Sequence, residues 1–234
     1  MQAVVLAGGV GTRLKPITEK IPKAMIQIRG KPFLEHQLNL LKSHGISDVV
    51  FCVGYLGDKI KKYFGDGRKF GIKLRYSEET GGLMGTAGAI KNAQDLLNDM
   101  FFVTYGDAYL ILDYREVMRY FKKFNKLGLM VVYKNFDKYD RSNVVVEGNL
   151  VKIYSKKRRA QNMVYIDFGV SVLRKKALDL IPVGKVIDLE ELYRELIERK
   201  ELLAFETDQR FYQIGSPDGI EEFKSLISSG QIKI

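Results

Sequence analysis

Short continuous apolar runs alternate along the chain with segments whose apolar residues recur every three or four positions. Residues 3–6, 48–53 and 101–104 are runs of the first kind, which are typical of buried strands. The segment that opens at Pro32 is of the second kind and keeps its apolar residues on one helical face as far as Leu41. Strands that alternate with helices in this way indicate parallel β-α-β units, so the pattern predicts an α/β fold.

The same pattern continues to about residue 135. Further strands are predicted at 25–28, 72–76 and 129–133. Further helices are predicted at 59–64, from the glycine-rich loop at 80–85 to about Leu97, and at 114–124. Ligands of such sheets bind at the carboxyl ends of the strands. The glycines after the first strand, Gly54-Tyr55 and Gly106-Asp107 all fall at such ends.

From about residue 136 the pattern changes. Residues 143–147 and 150–154 flank Gly148-Asn149, which predicts a hairpin, and another long β segment follows at 163–173. Helices at 189–199 and 217–226 flank a final strand pair at 202–205 and 211–213. We therefore predict a Rossmann-like, mostly parallel open sheet with helices on both faces and a small β-rich half. The expected organisation is one domain over 1–234, with halves at about 1–135 and 136–234.

Composition and charge agree with an ordinary globular protein. Hydrophobic residues make up 46% and charged residues 28% of the 234 positions, and no apolar run approaches the roughly 20 residues of a membrane span. The single cysteine, Cys52, cannot form an internal disulfide, and the N-terminus shows no signal-peptide pattern. We expect a cytoplasmic protein with no membrane contact. The net charge of +10 admits nucleic-acid binding, but the basic residues are spread over many elements, so we expect no nucleic-acid partner.

The stretch after the first strand carries the strongest chemical signal. Gly8, Gly9 and Gly11 remove the side chains that would keep a ligand from the backbone, and they permit positive φ angles that point N–H groups into one concavity. A hydroxyl and four cations follow, namely Thr12, Arg13, Lys15, Lys20 and Lys23. Backbone donors with a guanidinium and an ammonium suit a polyphosphate. A plain turn is the alternative. The dinucleotide motif G-x-G-x-x-G fails at Leu14, and no Gly-Lys-Ser/Thr of a P-loop follows.

The full run GG-x-GTRL-x-P-x-T…PK closely resembles the signature of the sugar-phosphate nucleotidylyltransferases. The resemblance implies that the loop wraps a nucleoside triphosphate, with Arg13 and Lys23 on the phosphates. The segment from Glu79 to Gly88 resembles the family's E-x-x-x-LGTAG, which holds the nucleobase. Thr86 also suits an N-cap, and both roles are compatible. The residues expected to contact the nucleotide are Leu6, Ala7, Gly8, Gly9, Gly11, Thr12, Arg13, Glu79, Gly85 and Thr86.

A magnesium site is expected at Asp107. This carboxylate follows a strand and a glycine and matches the family's metal-binding Gly-Asp, although a turn aspartate is the alternative. The family's second aspartate is replaced by Gln213 in the run FYQIGSP. An amide oxygen can still ligate Mg²⁺ without supplying charge. Either Asp107 then holds the metal mainly with phosphate and water, or a further carboxylate such as Asp218 contributes.

The second half is expected to bind the acceptor. Ser155-Lys156 stands where the family has Glu-Lys, so Lys156 would face the acceptor phosphate, and Asp107, Asp167 and Arg158 are the other acceptor candidates. Loss of the glutamate, with Arg158-Arg159 next in the chain, favours an acceptor with extra negative charge or one that is not an ordinary hexose phosphate. A solvated basic loop is the alternative.

These features predict an enzyme that joins a nucleoside triphosphate to a phosphorylated sugar or sugar-like acceptor and releases pyrophosphate. Arg13, Lys23 and Lys156 are the expected catalytic cations, and GTP or CTP are the first nucleotides to test. The sequence given has no acetyltransferase-like region, so we expect a monofunctional enzyme. The alternative, suggested by Gln213, is a nucleotide or nucleotide-sugar sensor that keeps the fold without turnover. The oligomeric state stays open.

Overall fold

The computed structural model describes residues 1–232. The strands are β1 (Gln2–Leu6), β2 (Gln27–Ile28), β3 (Lys31–Pro32), β4 (Asp48–Val53), β5 (Lys73–Glu78), β6 (Met100–Tyr105), β7 (Ala108–Leu110), β8 (Gly128–Lys134), β9 (Val144–Glu147), β10 (Leu150–Tyr154), β11 (Tyr165–Arg174), β12 (Leu202–Thr207) and β13 (Phe211–Gln213). The α-helices are α1 (Ile17–Lys20), α2 (Phe33–Ser43), α3 (Gly57–Phe64), α4 (Gly85–Asn92), α5 (Tyr114–Lys122), α6 (Leu189–Glu198) and α7 (Pro217–Ser228).

Nine of these strands form one sheet in the order β5-β4-β1-β6-β11-β8-β12-β10-β9. β1 pairs in parallel with β4 and β6, β4 pairs in parallel with β5, and β8 pairs in parallel with β12. β11 is antiparallel to both of its neighbours, β6 and β8. The predicted α/β fold with a mostly parallel sheet is therefore confirmed, and two strands, β11 and β10, run antiparallel to their neighbours in it.

Helices cover both faces of the sheet because successive strand residues point to opposite sides. Phe102 belongs to the core on the face that α2, α3 and α5 cover. Its neighbour Phe101 belongs to the core on the other face, with side chains of α4 and α6. Both phenylalanines are fully buried. Long apolar runs such as β4 and β6 follow from this burial on both faces.

The predicted final strand pair is wrong. β12 pairs with β8 inside the large sheet, whereas β13 pairs with β7 in a separate two-stranded ribbon. In that ribbon Gln213 lies opposite Ala108, the residue after Asp107. β7 was not predicted, because strands of three residues give almost no periodicity. The ribbon positions Gln213 beside the predicted metal ligand.

Three other predictions differ from the structure, two in element boundaries and one in backbone conformation. Only Gln27–Ile28 of the predicted strand at 25–28 is extended, and Lys23–Met25 form a turn of 3₁₀ helix. The helix after the glycine-rich loop ends at Asn92 rather than near Leu97. Of the three glycines after β1, only Gly11 has a positive φ, of 68°.

Within residues 1–232, we find no helix that is both long enough and apolar enough to cross a membrane.

Candidate active site

A cavity of about 270 Å³ opens at the carboxyl ends of β1, β4 and β6. The predicted nucleotide residues that line it are Leu6, Ala7, Gly8, Gly9, Glu79, Gly85 and Thr86, together with Lys23 and Asp107. A Cβ on Gly9 would meet nothing within 4 Å, whereas one on Gly8 would lie 3.1 Å from the backbone nitrogen of Gly54. Gly8 therefore lets two strand ends approach, and Gly9 leaves its backbone open to the cavity. We refer to this space as the nucleotide-side cavity.

Glu79 forms part of the wall of this cavity. Its Oε2 accepts a hydrogen bond of 2.6 Å from the backbone N–H of Met84, which closes the glycine-rich loop. Burial raises the pKa of Glu79, and the bond from Met84 opposes that rise. The carboxylate thus fixes the loop and presents an acceptor group to the cavity.

Thr86 does not act as the N-cap of α4, which begins at Gly85 without a side-chain capping bond. Its hydroxyl instead accepts a hydrogen bond of 2.7 Å from the N–H of Leu189, and it donates to Asp188 Oδ1 at 3.3 Å. The capping prediction was wrong because α6, more than 100 positions later in the chain, supplies both partners. Asp188 itself lines the nucleotide-side cavity. Asp188 was not among the predicted site residues, although an aspartate directly before a predicted helix is a recognisable N-cap signal.

Lys23 and Asp107 meet at the floor of the site. Lys23 Nζ donates to Asp107 Oδ2, and their side chains are only 24% and 17% exposed. The two side chains therefore hold each other in place through a charge-assisted hydrogen bond. A phosphate or a metal ion that enters the site competes for one member of this pair.

A second cavity, of about 410 Å³, lies on the other side of Asp107. Tyr105 and Asp107 line both cavities. The second cavity also contains Lys156 and Asp167, two of the predicted acceptor residues. We call it the acceptor-side cavity. Tyr105 and a further lining cation, Arg141, were not among the sequence candidates, and no motif in the chain points to Arg141.

Arg13 and Gln213 belong to the acceptor-side cavity rather than to the nucleotide-side one. A Cβ placed on Gly215 would lie 3.0 Å from Arg13 Nη2, 3.5 Å from Asp107 Oδ2 and 3.7 Å from Gln213 Oε1. These three side chains therefore converge around a glycine that leaves them room. A guanidinium, a carboxylate and an amide in one place can hold a phosphate and a cation together.

Asp167 lies in β11 and lines the acceptor-side cavity. Burial raises its pKa, which the charge of Lys156, the N–H of Gly169 and the hydroxyl of Tyr154 oppose. The Gly169 N–H donates to Asp167 Oδ1 at 2.9 Å and the Tyr154 hydroxyl donates to Oδ2 at 3.2 Å. The carboxylate is thus held in one orientation by two donors and faces the cation that is expected to meet the acceptor phosphate.

Some of the predicted residues are not brought to either cavity. Gly11 and Thr12 lie where the loop turns into a short 3₁₀ helix and line neither space. Arg158 lines a separate surface depression, together with Arg159 and Arg194. The acceptor role of Arg158 stays a prediction, without support from its position. Asp218 lies in the first turn of α7 and is not among the residues that line the acceptor-side cavity.

The sequence matches the family model of the nucleotidyl transferases over residues 2–219. The chain belongs to this family. It is 33% identical over 226 residues to the D-glycero-alpha-D-manno-heptose 1-phosphate guanylyltransferase of Campylobacter jejuni, which covers 95% of this chain and 98% of that protein. It is 29% identical over 228 residues to the mannose-1-phosphate guanyltransferase of Saccharomyces cerevisiae, which covers 93% of this chain but only 62% of that protein.

Solved structures agree with this assignment. The fold superimposes on HddC from Yersinia pseudotuberculosis complexed with GMP-PN with a TM-score of 0.79 at 26% identity, over 97% of this chain and 99% of that one. It also matches the inositol-1-phosphate CTP transferase from T. maritima with a TM-score of 0.79, and the identity of 22% supports the fold alone. The predicted resemblance to the sugar-phosphate nucleotidylyltransferases is thereby confirmed. The chain is an enzyme that transfers nucleotidyl groups.

Proposed function

We propose that the chain transfers the guanylyl group of GTP to a sugar 1-phosphate and releases pyrophosphate. The observation that carries this proposal is the shared wall of the two cavities, where Tyr105 and Asp107 line both. A nucleotide in one cavity and a phosphorylated acceptor in the other would bring their phosphates together beside Lys23 and Asp107. Two of the similar proteins named above are a heptose 1-phosphate guanylyltransferase and a mannose-1-phosphate guanyltransferase. Their names support GTP and a sugar 1-phosphate as the substrates.

The reaction needs positioning and charge neutralisation more than a base. An oxygen of the acceptor phosphate attacks the α-phosphorus of GTP, and the bond from that phosphorus to the bridging oxygen breaks, so pyrophosphate leaves in line. A phosphate monoester is already anionic and nucleophilic near neutral pH. In this proposal Lys23 meets the α-phosphate and Lys156 the incoming phosphate, so each of these cations stabilises charge on a group that reacts. The role of Arg13 on the leaving pyrophosphate stays a prediction, because Arg13 lines the acceptor-side cavity together with Lys156.

The donor set at Asp107 fits a magnesium ion. Mg²⁺ is usually held by one or two carboxylates with substrate phosphates and water, and Asp107 with the amide oxygen of Gln213 supplies such a partial shell. Among the described residues no cluster of three or more His, Cys, Asp or Glu forms a complete metal cage. Bound there, the ion would neutralise phosphate charge. Lys23 occupies Asp107 Oδ2 in this structure and would exchange that partner for phosphate.

Guanine as the base is supported by Glu79. A carboxylate can only accept hydrogen bonds, and guanine offers adjacent N–H donors on its Watson–Crick edge. One Glu79 oxygen is engaged by the Met84 N–H, so the other, beside Gly8 and Gly54, is left to meet a ligand.

Pyrophosphate release tests the proposal. Purified protein with Mg²⁺ is mixed with GTP, CTP, UTP or dTTP and, for each, with a panel of sugar 1-phosphates that includes heptose, mannose and glucose forms. We expect release only when a nucleotide and an acceptor are both present, and fastest with GTP. Nucleotide binding without pyrophosphate release from any pair would support the sensor alternative. Preference for another base would overturn the guanylyl assignment alone.

A further inference from the structure

The amino end of α6 contacts segments that line the two cavities, although Glu190 itself lines the separate depression with Arg158. Asp188, the N-cap residue of this helix, reaches the start of α4 and lines the nucleotide-side cavity. Two positions later, Glu190 Oε1 accepts a hydrogen bond of 3.3 Å from the backbone N–H of Lys156, the predicted ligand of the acceptor phosphate. One helical turn therefore contacts the loops of both substrates.

The contact with the nucleotide side is built from several bonds. Asp188 Oδ1 accepts from the backbone N–H of Thr86 at 3.1 Å and from its hydroxyl at 3.3 Å. The carbonyl of Ile187 accepts from the N–H groups of Ala87 at 2.9 Å and Gly88 at 3.1 Å. The N–H of Ile187 in turn donates to the carbonyl of Met84 at 2.9 Å. The amino end of α4 is thus satisfied by the segment before α6 rather than by a local cap.

This arrangement limits what Thr86 can offer a nucleotide. A hydroxyl has one proton and two lone pairs. The proton of Thr86 is donated to Asp188, and one lone pair accepts from the N–H of Leu189. Thr86 can therefore no longer donate to a ligand unless Asp188 releases it. Its chief role in this arrangement is to shape the cavity wall.

From these contacts we infer that Asp188 and Glu190 are positioning residues for the two substrates. Asp188 fixes the base wall of the nucleotide-side cavity through Thr86, and Glu190 fixes the backbone at Lys156. The inference rests on the proposed use of the two cavities. It predicts that the two side chains act on different substrates although they lie on the same helical turn.

Three substitutions at Asp188 separate this role from helix capping. Asp188→Asn keeps one acceptor oxygen, which can meet Thr86, and turns the second oxygen into a donor, which weakens the cap. Asp188→Ser keeps a good cap but is too short for Thr86, and Asp188→Ala loses both. We expect the dissociation constant for GTP with Mg²⁺, measured by calorimetry without acceptor, to rise about tenfold in Asp188→Ser and Asp188→Ala, the factor for a lost hydrogen bond to a charged group. Asp188→Asn should stay close to wild type.

Glu190→Gln is tested in parallel, with Glu198→Gln at the far end of the same helix as the control for loss of one charge. We expect Glu190→Gln to raise the KM for the sugar 1-phosphate and to leave the GTP dissociation constant unchanged. Glu198→Gln should change neither. A rise in the GTP dissociation constant with Glu190→Gln that matches the rise with Asp188→Ser would contradict separate roles.

Hydrogen exchange makes the inference independent of turnover and of the base. The amides of Thr86, Ala87 and Gly88 should exchange faster in Asp188→Ser than in Asp188→Asn, with no ligand present. If wild type binds GTP and Asp188→Ser binds it equally well, the inference fails and the proposed function survives. If wild type binds no nucleotide, the proposed function fails, and unchanged exchange at these amides would then overturn the inference as well.

Discussion

We propose that Lys23 contacts the reacting phosphate, because it lies in the nucleotide-side cavity and touches Asp107, which lines both cavities. We expect Lys23→Met to lower kcat by about 10²–10³-fold, the usual loss when one group that stabilises a transition state is removed. Steady-state pyrophosphate release measures the effect, and circular dichroism checks that the variant is folded. Lys15→Met is the control, since Lys15 is exposed and pairs only at 3.8 Å with Glu19. Equal activity of the two variants would remove Lys23 from the mechanism.

Glu79 and its neighbour Glu78 offer a matched pair of variants that tests recognition of the nucleobase. Glu79 lines the nucleotide-side cavity, whereas Glu78 is exposed and pairs with Lys61 at 2.9 Å. We expect Glu79→Gln to lower kcat/KM for GTP by about tenfold, because an amide replaces one acceptor oxygen by a donor that faces the donors of guanine. Glu78→Gln should leave kcat/KM unchanged. The ratio of kcat/KM for GTP to that for UTP reports the effect on the base, and an unaltered ratio in Glu79→Gln would count against base recognition by this residue.

Asp167 predicts a pH dependence of stability. Because burial raises its pKa in the folded protein, the folded state binds more protons than the unfolded state once the pH passes the usual aspartate pKa of about 3.9. Asp167 therefore makes stability fall as pH rises from about 3.9 to its raised folded-state pKa, and the loss is complete above that value. Asp167→Asn lacks this contribution. Urea unfolding across pH 4 to 8 should show the stability of wild type relative to the variant falling and then levelling. A constant difference would show that Asp167 has an ordinary pKa.

At the scale of elements, the start of α4 is hydrogen-bonded to Ile187 and Asp188, just before α6, and we call this contact the joint. Its close approach depends on glycine. Gly85 has a φ of 73°, and a Cβ there would lie 2.5 Å from the carbonyl oxygen of Ile187. Gly81, in the same loop, has a φ of 90° but nothing within 4 Å of an added Cβ. Gly81→Ala thus reports backbone strain alone, and Gly85→Ala adds a clash with backbone. We expect Gly85→Ala to lower the free energy of unfolding by about 1–3 kcal/mol more than Gly81→Ala. Urea denaturation of both variants measures the difference, and equal losses would mean that the joint can move apart.

The local pattern of apolar residues predicted the long apolar elements correctly. It failed where residues far away in the sequence determine strand pairing or hydrogen bonding. β1, β4, β6 and α2 were predicted within two residues of their ends because burial on one or both faces gives a strong periodicity. The pairing of β13 with β7 and the bonding of Thr86 by Asp188 and Leu189 depend on contacts about 100 positions apart, which local propensity does not encode. In the site, the glycine loop, Lys23 and Asp107 follow from motifs, whereas Tyr105, Arg141 and Asp188 reach the cavities only through the fold.

At the scale of the whole molecule, the two halves share one sheet. β11 comes from the second half and pairs with β6 from the first half along five residues, from Val170 opposite Thr104 to Arg174 opposite Met100. β8, near the boundary at about residue 135, lies between β11 and β12. Neither half can therefore unfold without exposing the strand edges of the other, which would leave backbone groups without partners.

We therefore expect the chain to unfold in a single cooperative transition, despite its separate nucleotide and acceptor sides. Cys52 provides a local probe, because it is 1% exposed in β4 and lines the nucleotide-side cavity. Its reaction with a thiol reagent should begin at the same temperature at which far-ultraviolet circular dichroism reports loss of the sheet. GTP with Mg²⁺ at about 100 times its dissociation constant should move both midpoints together by about 5–10 °C. Labelling of Cys52 well below the dichroism midpoint would show that the first half opens alone and that the chain is two units.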